Sequence, residues 1–237
     1  MARTLDPHAA TVKAWETRRR AMQAQGSSPT QIRDSVSRRE PASETRTFSG
    51  ASPRETAEAS GYDLTLSQIA DLSGAPPGSH VKISVTGTTI GIETTFPGGI
   101  GSSIVAIADD TIHNMLVSML RPAQGRGIGT AGFVLQAETA SKLGFREIKL
   151  LASGPDRGKV GYYVWARLGF QSDWKVRGPD GPIMIQDLMR RPGGAAWWKE
   201  NGKAWRGTFD LSPDSTSMRV LREYRRLKDK DREKRRG

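Results

Sequence analysis

Apolar and polar residues alternate in the middle of the chain in a way that predicts a β-hairpin and two further strands. Two alternating segments flank a turn at Thr86 and Gly87, as half-buried strands that pair with each other do. Residues 115–120 form an apolar run, which predicts a buried strand. The four predicted strands are residues 80–85, 88–95, 102–108 and 111–120.

After residue 130 the spacing of apolar residues changes to that of a helix. Phe133, Ala137, Ala140 and Gly144 fall at steps of four, three and four, so they share one face of a helix predicted over residues 131–143. Further predicted elements are helices at residues 66–72 and within 160–170, a strand at 146–152 and a closing strand at 183–189. This order predicts an α/β fold with a mixed, mostly antiparallel sheet and helices on both faces.

A glycine-rich turn joins the apolar strand to this helix. Gly125, Gly127 and Gly129 lack Cβ atoms, so the backbone can turn tightly and approach a ligand closely. The first N–H groups of the helix have no internal partner, and the helix dipole favours an anion there. Arg126 adds a charged donor. The loop therefore predicts a phosphate site, although its glycine order matches neither a Walker loop nor the dinucleotide pattern Gly-x-Gly-x-x-Gly.

This loop resembles the acyl-coenzyme A loop of GNAT-type N-acetyltransferases, whose pattern is Gln/Arg-x-x-Gly-x-Gly/Ala. Gln124, Gly127 and Gly129 match its three fixed positions. The alternative is that the glycines only form a tight turn between a strand and a helix.

A second segment carries the same resemblance. GNAT domains follow the loop helix with a strand and a short helix that ends in Tyr-x-x-x-Gly-Phe. Here Trp165 precedes Gly169 and Phe170, with Trp in the Tyr position. The resemblance covers residues of about 80 to 190 and implies a GNAT-like domain at 61–189.

The resemblance implies that acetyl-CoA is the co-substrate and that its acyl group passes to a primary amine. In the family, the strands before and after the loop helix separate, and the pantetheine arm pairs with backbone groups in the gap. A backbone N–H near Met119 would then stabilise the oxyanion. The implied cofactor-binding residues are Met119, Gln124, Gly125, Arg126, Gly127, Gly129 and Thr130.

Residues for acid and base catalysis are harder to assign. No Glu lies between Ile112 and Pro122, which leaves His113 as the ionisable base of that stretch. Trp165 has no acidic hydroxyl with which to protonate the leaving thiolate. Tyr162, which has one, lies one helical turn before it. Tyr162 and His113 are therefore the catalytic candidates, although both residue types are also common in protein cores. CoA binding is the better supported half of the hypothesis.

The family also places a strand and two helices before the central hairpin. In this chain only residues 61–80 are available for them, because residues 1–60 contain few aliphatic side chains. We therefore expect the acceptor side of the site to be reduced, or to be supplied by the tails or by another chain.

The positive charge of the chain is concentrated at its ends. The 237 residues carry a formal charge of +11. Residues 61–189 are neutral, with 11 Lys/Arg and 11 Asp/Glu, while residues 190–237 carry 15 and 7. We expect residues 1–60 to form a basic tail that is disordered or ordered by a partner, and residues 190–237 to hold a Trp-rich segment and a basic helix over 218–236.

Composition excludes several classes of site. The chain has no cysteine and three dispersed histidines, so we expect neither disulfides nor a zinc site. No apolar run approaches the ~20 residues of a membrane span. We expect a protein of the cytoplasm, or of a virion if it is phage-encoded.

The tails suggest a second hypothesis. Residues 14–20 resemble short segments of phage head-associated proteins. A catalytically silent GNAT-like domain, serving as a virion component or a nucleic-acid-associated protein, is therefore the alternative to an enzyme. The basic tails would bind nucleic acid or structural proteins. Trp197, Trp198 and Trp205 would either pack onto the domain or bind a partner.

Overall fold

The computed structural model describes residues 46–155 and 160–234, and Thr47–Gly237 forms one compact unit. Two 3-10 turns lie at Pro97–Gly99 and Arg121–Ala123. The strands are β1 (Thr47–Gly50), β2 (His80–Thr86), β3 (Thr89–Thr95), β4 (Gly101–Ala108), β5 (Thr111–Met119), β6 (Glu147–Ala152), β7 (Gln171–Ser172), β8 (Val176–Gly178), β9 (Gly181–Ile183) and β10 (Trp205–Asp210). The helices are α1 (Pro53–Ser60), α2 (Leu66–Leu72), α3 (Ile128–Lys142), α4 (Gly161–Arg167), α5 (Ile185–Arg190), α6 (Gly194–Asn201) and α7 (Thr216–Lys234).

Eight strands form one sheet in the order β1-β2-β3-β4-β5-β6-β10-β7. The pairs β1–β2 and β5–β6 are parallel, and the other neighbouring pairs of this sheet are antiparallel. Strands β8 and β9 form a separate two-stranded ribbon. The mixed, mostly antiparallel sheet with flanking helices that the sequence predicts is confirmed.

One face of the sheet carries the core. Ile83 of β2 and Ile92 of β3 pair directly and are buried, whereas their neighbours Lys82 and Glu93 point to the other face and are exposed. This alternation is the one-sided burial that the sequence pattern predicts. On the buried face, Phe133 of α3 packs against other aromatic rings, namely Trp165, Phe170 and Phe209.

A strand and two helices precede the central hairpin, so the prediction that only residues 61–80 are available there is wrong. Residues 47–60, which were expected in the tail, form β1 and α1. Both helices begin with a capping box: Ser52 and Glu55 cap α1, and Thr65 and Gln68 cap α2. Local capping thus starts α1, in which the apolar pattern is weak.

The prediction of a closing strand at residues 183–189 is also wrong. Most of this segment is helix α5, and the strand that lies beside β6 is β10. Ile185 and Leu188 are both fully buried at a spacing of three, which suits a helix and not a strand. Since β1 and β10 lie outside residues 61–189, the sheet extends beyond those predicted bounds at both ends.

The tryptophans after residue 190 pack onto the domain, as one of the two interpretations predicts. Trp198 and Trp205 are 3% and 2% exposed. Both indole N–H groups donate to the Tyr162 carbonyl, at 3.0 and 2.9 Å. Helix α7 then starts two residues before the predicted 218; its Leu221 is buried, whereas Leu227 is 51% exposed.

Among the described residues, no helix is long and apolar enough to cross a membrane. In the same ranges, no group of three or more His, Asp or Glu side chains is placed to hold a metal ion. The segment at residues 14–20 lies outside the described part of the chain.

Candidate functional site

Helix α3 begins directly at the glycine-rich loop. It starts at Ile128, three residues before the predicted start, and Gly127 is its N-cap. Gly125 and Gly127 have φ angles of 75° and 81°, in the left-handed region where a Cβ atom would be strained. The backbone therefore requires glycine at these two positions, where the chain turns from β5 into the helix.

The first turn of α3 presents free backbone donors. No side chain caps the helix, and no acceptor within the described ranges takes the N–H groups of Ile128, Gly129 and Thr130. A Cβ atom built on Gly125, Gly127 or Gly129 would meet nothing within 4 Å. The space over the loop is therefore open, and an anion can come into contact with the backbone.

The loop is also electropositive. Arg121 and Arg126 are exposed, and residues 121–136 contain no Asp or Glu. Glu138, the first acidic residue along the helix, is paired with Arg225 at 2.5 Å. Two exposed arginines that form no ion pair within the described ranges, the open N–H groups of the first turn and the positive end of the helix dipole together favour a phosphate group.

Gln124 fixes the loop to the end of β5. Its side-chain amide donates to the Met119 carbonyl at 2.9 Å. Its backbone N–H donates to the carbonyls of Leu120 and Arg121, both at 3.2 Å. Gln124 therefore positions the loop, and its direct contact with a cofactor stays a prediction.

Strands β5 and β6 separate partway along β5. They pair as far as Asn114 and Leu150, although β5 continues to Met119. At Met115 the register of β5 against β4 shifts by one residue, which is a β-bulge. Beyond the bulge, the edge of β5 that faces away from β4 has no partner strand among the described residues.

The run at residues 115–120 is exposed, so the prediction of a buried strand is wrong there. Met115 is 68% exposed and Leu116 is 44% exposed, because β6 has already separated from β5. The Leu120 N–H donates to the carbonyl of Ile100, the residue just before β4, at 2.9 Å. By antiparallel alternation, the backbone groups of Val117 and Met119 then face the gap.

A narrow cleft lies between β5 and the first turns of α3. Its lining mixes apolar side chains with two buried amides, which the sequence analysis did not single out. The sequence contains a hint of both amides, because each is a polar residue at a position that the apolar pattern assigns to the buried face of its strand or helix. The lining residues that matter here are Asn114, Val117, Gly129, Phe133, Gln136 and Trp165.

Trp165 occupies one wall of this cleft. It is half-buried, and its ring meets Phe133 edge-on with centroids 5.4 Å apart. An indole can donate a hydrogen bond but has no proton acidic enough for a general acid near neutral pH. The cleft wall at this position is therefore mainly a packing surface.

Tyr162 does not line the cleft. Its side chain is 7% exposed, and its hydroxyl donates to the Lys199 carbonyl at 2.5 Å. The ring packs against Gly202. These contacts give Tyr162 a structural role between α4 and α6, and its catalytic role stays a prediction.

His113 lies on the other face of the sheet from the cleft. Its neighbour Asn114 points towards α3, so His113 points away from it, beside Ala106 and Lys149 in the adjacent strands. The structure thus brings the loop residues and Met119 together, but it places neither His113 nor Tyr162 with them. The role of His113 as a base also stays a prediction.

No protein-family model matches the chain, and no curated protein matches its sequence. Solved structures similar to it include acetyltransferases. The ribosomal-protein-S18-alanine N-acetyltransferase of Escherichia coli is 13% identical, with 63% of this chain and 91% of that chain covered and a TM-score of 0.35. A GNAT family acetyltransferase of Elizabethkingia anophelis with acetyl-CoA bound is 16% identical, with 52% and 76% covered and a TM-score of 0.33.

An N-acetyltransferase of Thermoplasma acidophilum in complex with coenzyme A is 17% identical, with 40% of this chain and 57% of that chain covered and a TM-score of 0.30. Similarity at this level is loose. The candidate site of this chain therefore rests on its own geometry.

Proposed function

We propose that this protein binds an acyl-coenzyme A, with acetyl-CoA as the expected donor, and transfers the acyl group to a primary amine. One observation carries the proposal: an uncapped, electropositive helix N-terminus lies directly beside a strand edge that has lost its partner. Phosphates and an amide-bearing chain need these two features side by side.

The loop supplies the phosphate half of the site. The N–H groups of Ile128, Gly129 and Thr130 can donate to pyrophosphate oxygens, and Arg126 can add charge-assisted hydrogen bonds. The open space over Gly125 and Gly129 lets the phosphates approach the backbone. Each of these contacts strengthens with the negative charge of the ligand.

The edge of β5 supplies the other half. Amide groups of the pantetheine arm would pair with the backbone of Val117, as an added strand does. The Met119 carbonyl already accepts from Gln124, which leaves the Met119 N–H for the thioester oxygen. The amine nitrogen attacks the carbonyl carbon, the C–N bond forms and the C–S bond breaks. The thiolate leaves, and the amine proton passes to solvent, since His113 lies on the other face of the sheet.

A charge-reversal pair at Gly129 tests the proposal. Gly129 lies in the first helical turn at an unstrained φ, and a side chain there meets nothing within 4 Å. Gly129→Glu should therefore fold normally, since a carboxylate near a helix N-terminus is stabilising. It should abolish CoA binding in calorimetry, because the carboxylate competes with the phosphates for the same donors.

Gly129→Gln is the matched control, since it has the same size without the charge. We expect it to bind CoA more weakly than the wild type but more strongly than Gly129→Glu. The proposal would be refuted if folded wild-type protein bound neither CoA nor acetyl-CoA at millimolar concentration. So would equal CoA affinity in the Glu and Gln variants.

A second candidate function is association with nucleic acid without catalysis. It is favoured by the end of α7, where Arg225, Arg226, Lys228 and Lys230 are exposed and follow Leu221, the last residue of the helix that the structure describes as buried. A protein that binds CoA but transfers no acyl group to any amine, and that binds nucleic acid in a salt-dependent way, would favour this candidate.

A further inference from the structure

Two amide side chains form a closed pair inside the apolar layer between β5 and α3. Asn114 and Gln136 are 7% and 3% exposed. Each donates to the other's carbonyl oxygen at 2.8 Å. The Gln136 amide also donates to the Leu72 carbonyl at 2.5 Å, so the pair joins β5 and α3 to the end of α2.

The position of the pair is specific. Asn114 is the last residue of β5 that pairs with β6, and the bulge at Met115 follows at once. Gln136 lies on α3 seven residues after Gly129, which is about two turns. The pair therefore connects the point where the gap opens to the helix that carries the glycine-rich loop.

Simple packing does not explain amides at these positions. The nearest buried positions on the same faces are apolar, namely Ile112 on β5 and Phe133, Ala137 and Ala140 on α3. An amide that loses its partner in such a layer costs more than its hydrogen bond gains. The amides restrict how β5 and α3 can be placed relative to each other. Reciprocal hydrogen bonds are formed in only one placement, whereas apolar side chains allow the strand and the helix to slide.

We propose that the Asn114–Gln136 pair is a positioning element that holds the unpaired edge of β5 at a fixed place relative to the phosphate loop. This inference rests on the proposed function and deepens it. A ligand that spans both features has its phosphates on the loop and an amide-bearing chain along β5. Such a ligand needs the correct distance between the loop and the unpaired edge of β5. A ligand that contacts only the loop does not.

Two ligands and one double variant test the inference. Coenzyme A spans both features, whereas 3′-phosphoadenosine 5′-diphosphate has the same phosphates and lacks the pantetheine arm. Asn114→Leu alone removes both hydrogen bonds that the Gln136 amide makes with Asn114 and should lower the melting temperature. Asn114→Leu combined with Gln136→Met removes the polar groups of the pair together, and part of that stability should return, although the Leu72 carbonyl loses its Gln136 donor.

In the double variant we expect the affinity for coenzyme A to fall at least tenfold in calorimetry. The affinity for 3′-phosphoadenosine 5′-diphosphate should stay within about twofold of the wild type. Should the double variant fail to fold, Asn114→Leu alone, measured below its melting temperature, serves in its place, and the same ratio of the two affinities is expected.

The outcomes separate the two proposals. If the variant binds both ligands like the wild type, or loses both equally, the pair is only a structural contact and the inference is overturned while the proposed function stands. If the wild type binds neither ligand, the proposed function itself fails, and the inference fails with it.

Discussion

Replacing Tyr162 by phenylalanine separates a structural from a catalytic role for this residue. The substitution keeps the ring, which packs on Gly202, and removes only the hydroxyl. That hydroxyl donates to the carbonyl of Lys199. Lys199 lies in the last turn of α6, where carbonyls have no partner within the helix. The hydroxyl therefore acts as a side-chain cap for α6.

The cost of the substitution follows from these contacts. A buried hydrogen bond contributes about 1 kcal/mol, and the carbonyl left without a donor adds to the loss, so we expect about 1–2 kcal/mol of destabilisation. For a chain of this size, each kcal/mol lowers the melting temperature by about 2–4 °C. Acyl transfer, measured as thiol release at a temperature where both proteins are folded, should change less than about threefold.

Tyr163→Phe is the matched control. Tyr163 is the adjacent residue, is half-buried, and its hydroxyl has no hydrogen-bond partner among the described residues. Its ring, which lies 5.6 Å from the Arg167 guanidinium carbon, is retained. We expect a change below about 0.5 kcal/mol. If Tyr162→Phe instead keeps its melting temperature and loses about 100-fold in turnover, the structural argument is refuted and the proton-donor prediction gains its support.

Three further predictions follow from local geometry. Gly132→Ala should cost about 1–3 kcal/mol in a denaturant titration, because its Cβ atom would lie 2.5 Å from a carbonyl just after α2; Gly129→Ala, which meets nothing, should gain up to about 1 kcal/mol. Deleting residues 225–237 should leave the fold intact and remove salt-dependent retention of DNA or RNA in filter binding; equal retention would refute this. Burial raises the pKa of Glu147, but the hydrogen bond and charge of Lys149, the charge of Arg146 and the hydrogen bond from Thr111 together outweigh it and lower the pKa overall. Its stabilisation is thus present above the unfolded-state pKa and lost as pH falls through the folded-state pKa, so the loss of stability in Glu147→Gln should shrink on acidification.

The central strands could be predicted because their burial is one-sided. The hairpin strands were predicted at 80–85 and 88–95 and run over His80–Thr86 and Thr89–Thr95. Alternation of apolar side chains directly reports a sheet with one buried face. Helix α1 was missed because its one buried residue is Thr56, so it has no apolar stripe. Its capping box was visible as Ser52 and Glu55, three residues apart.

The candidate site was likewise predictable only in part. The glycine-rich loop was predictable because backbone with a positive φ and an open approach for a ligand favours glycine, which is visible in the local sequence. The neighbours of Tyr162 were not, because the Lys199 carbonyl and the indoles of Trp198 and Trp205 come from segments more than 35 residues away. The amide pair of Asn114 and Gln136 likewise needs the packing of α3 on β5 before its meaning appears.

The placement of β10 has a consequence for synthesis and for truncation. This strand is formed by Trp205–Asp210, yet it lies between β6 and β7 in the sheet. Until it has been translated, β6 has an open edge and β7 has no strand to join. A nascent chain or a fragment ending near residue 190 would expose that edge to other chains, and such edges promote aggregation. A fragment made to isolate the glycine-rich loop should therefore extend past Asp210.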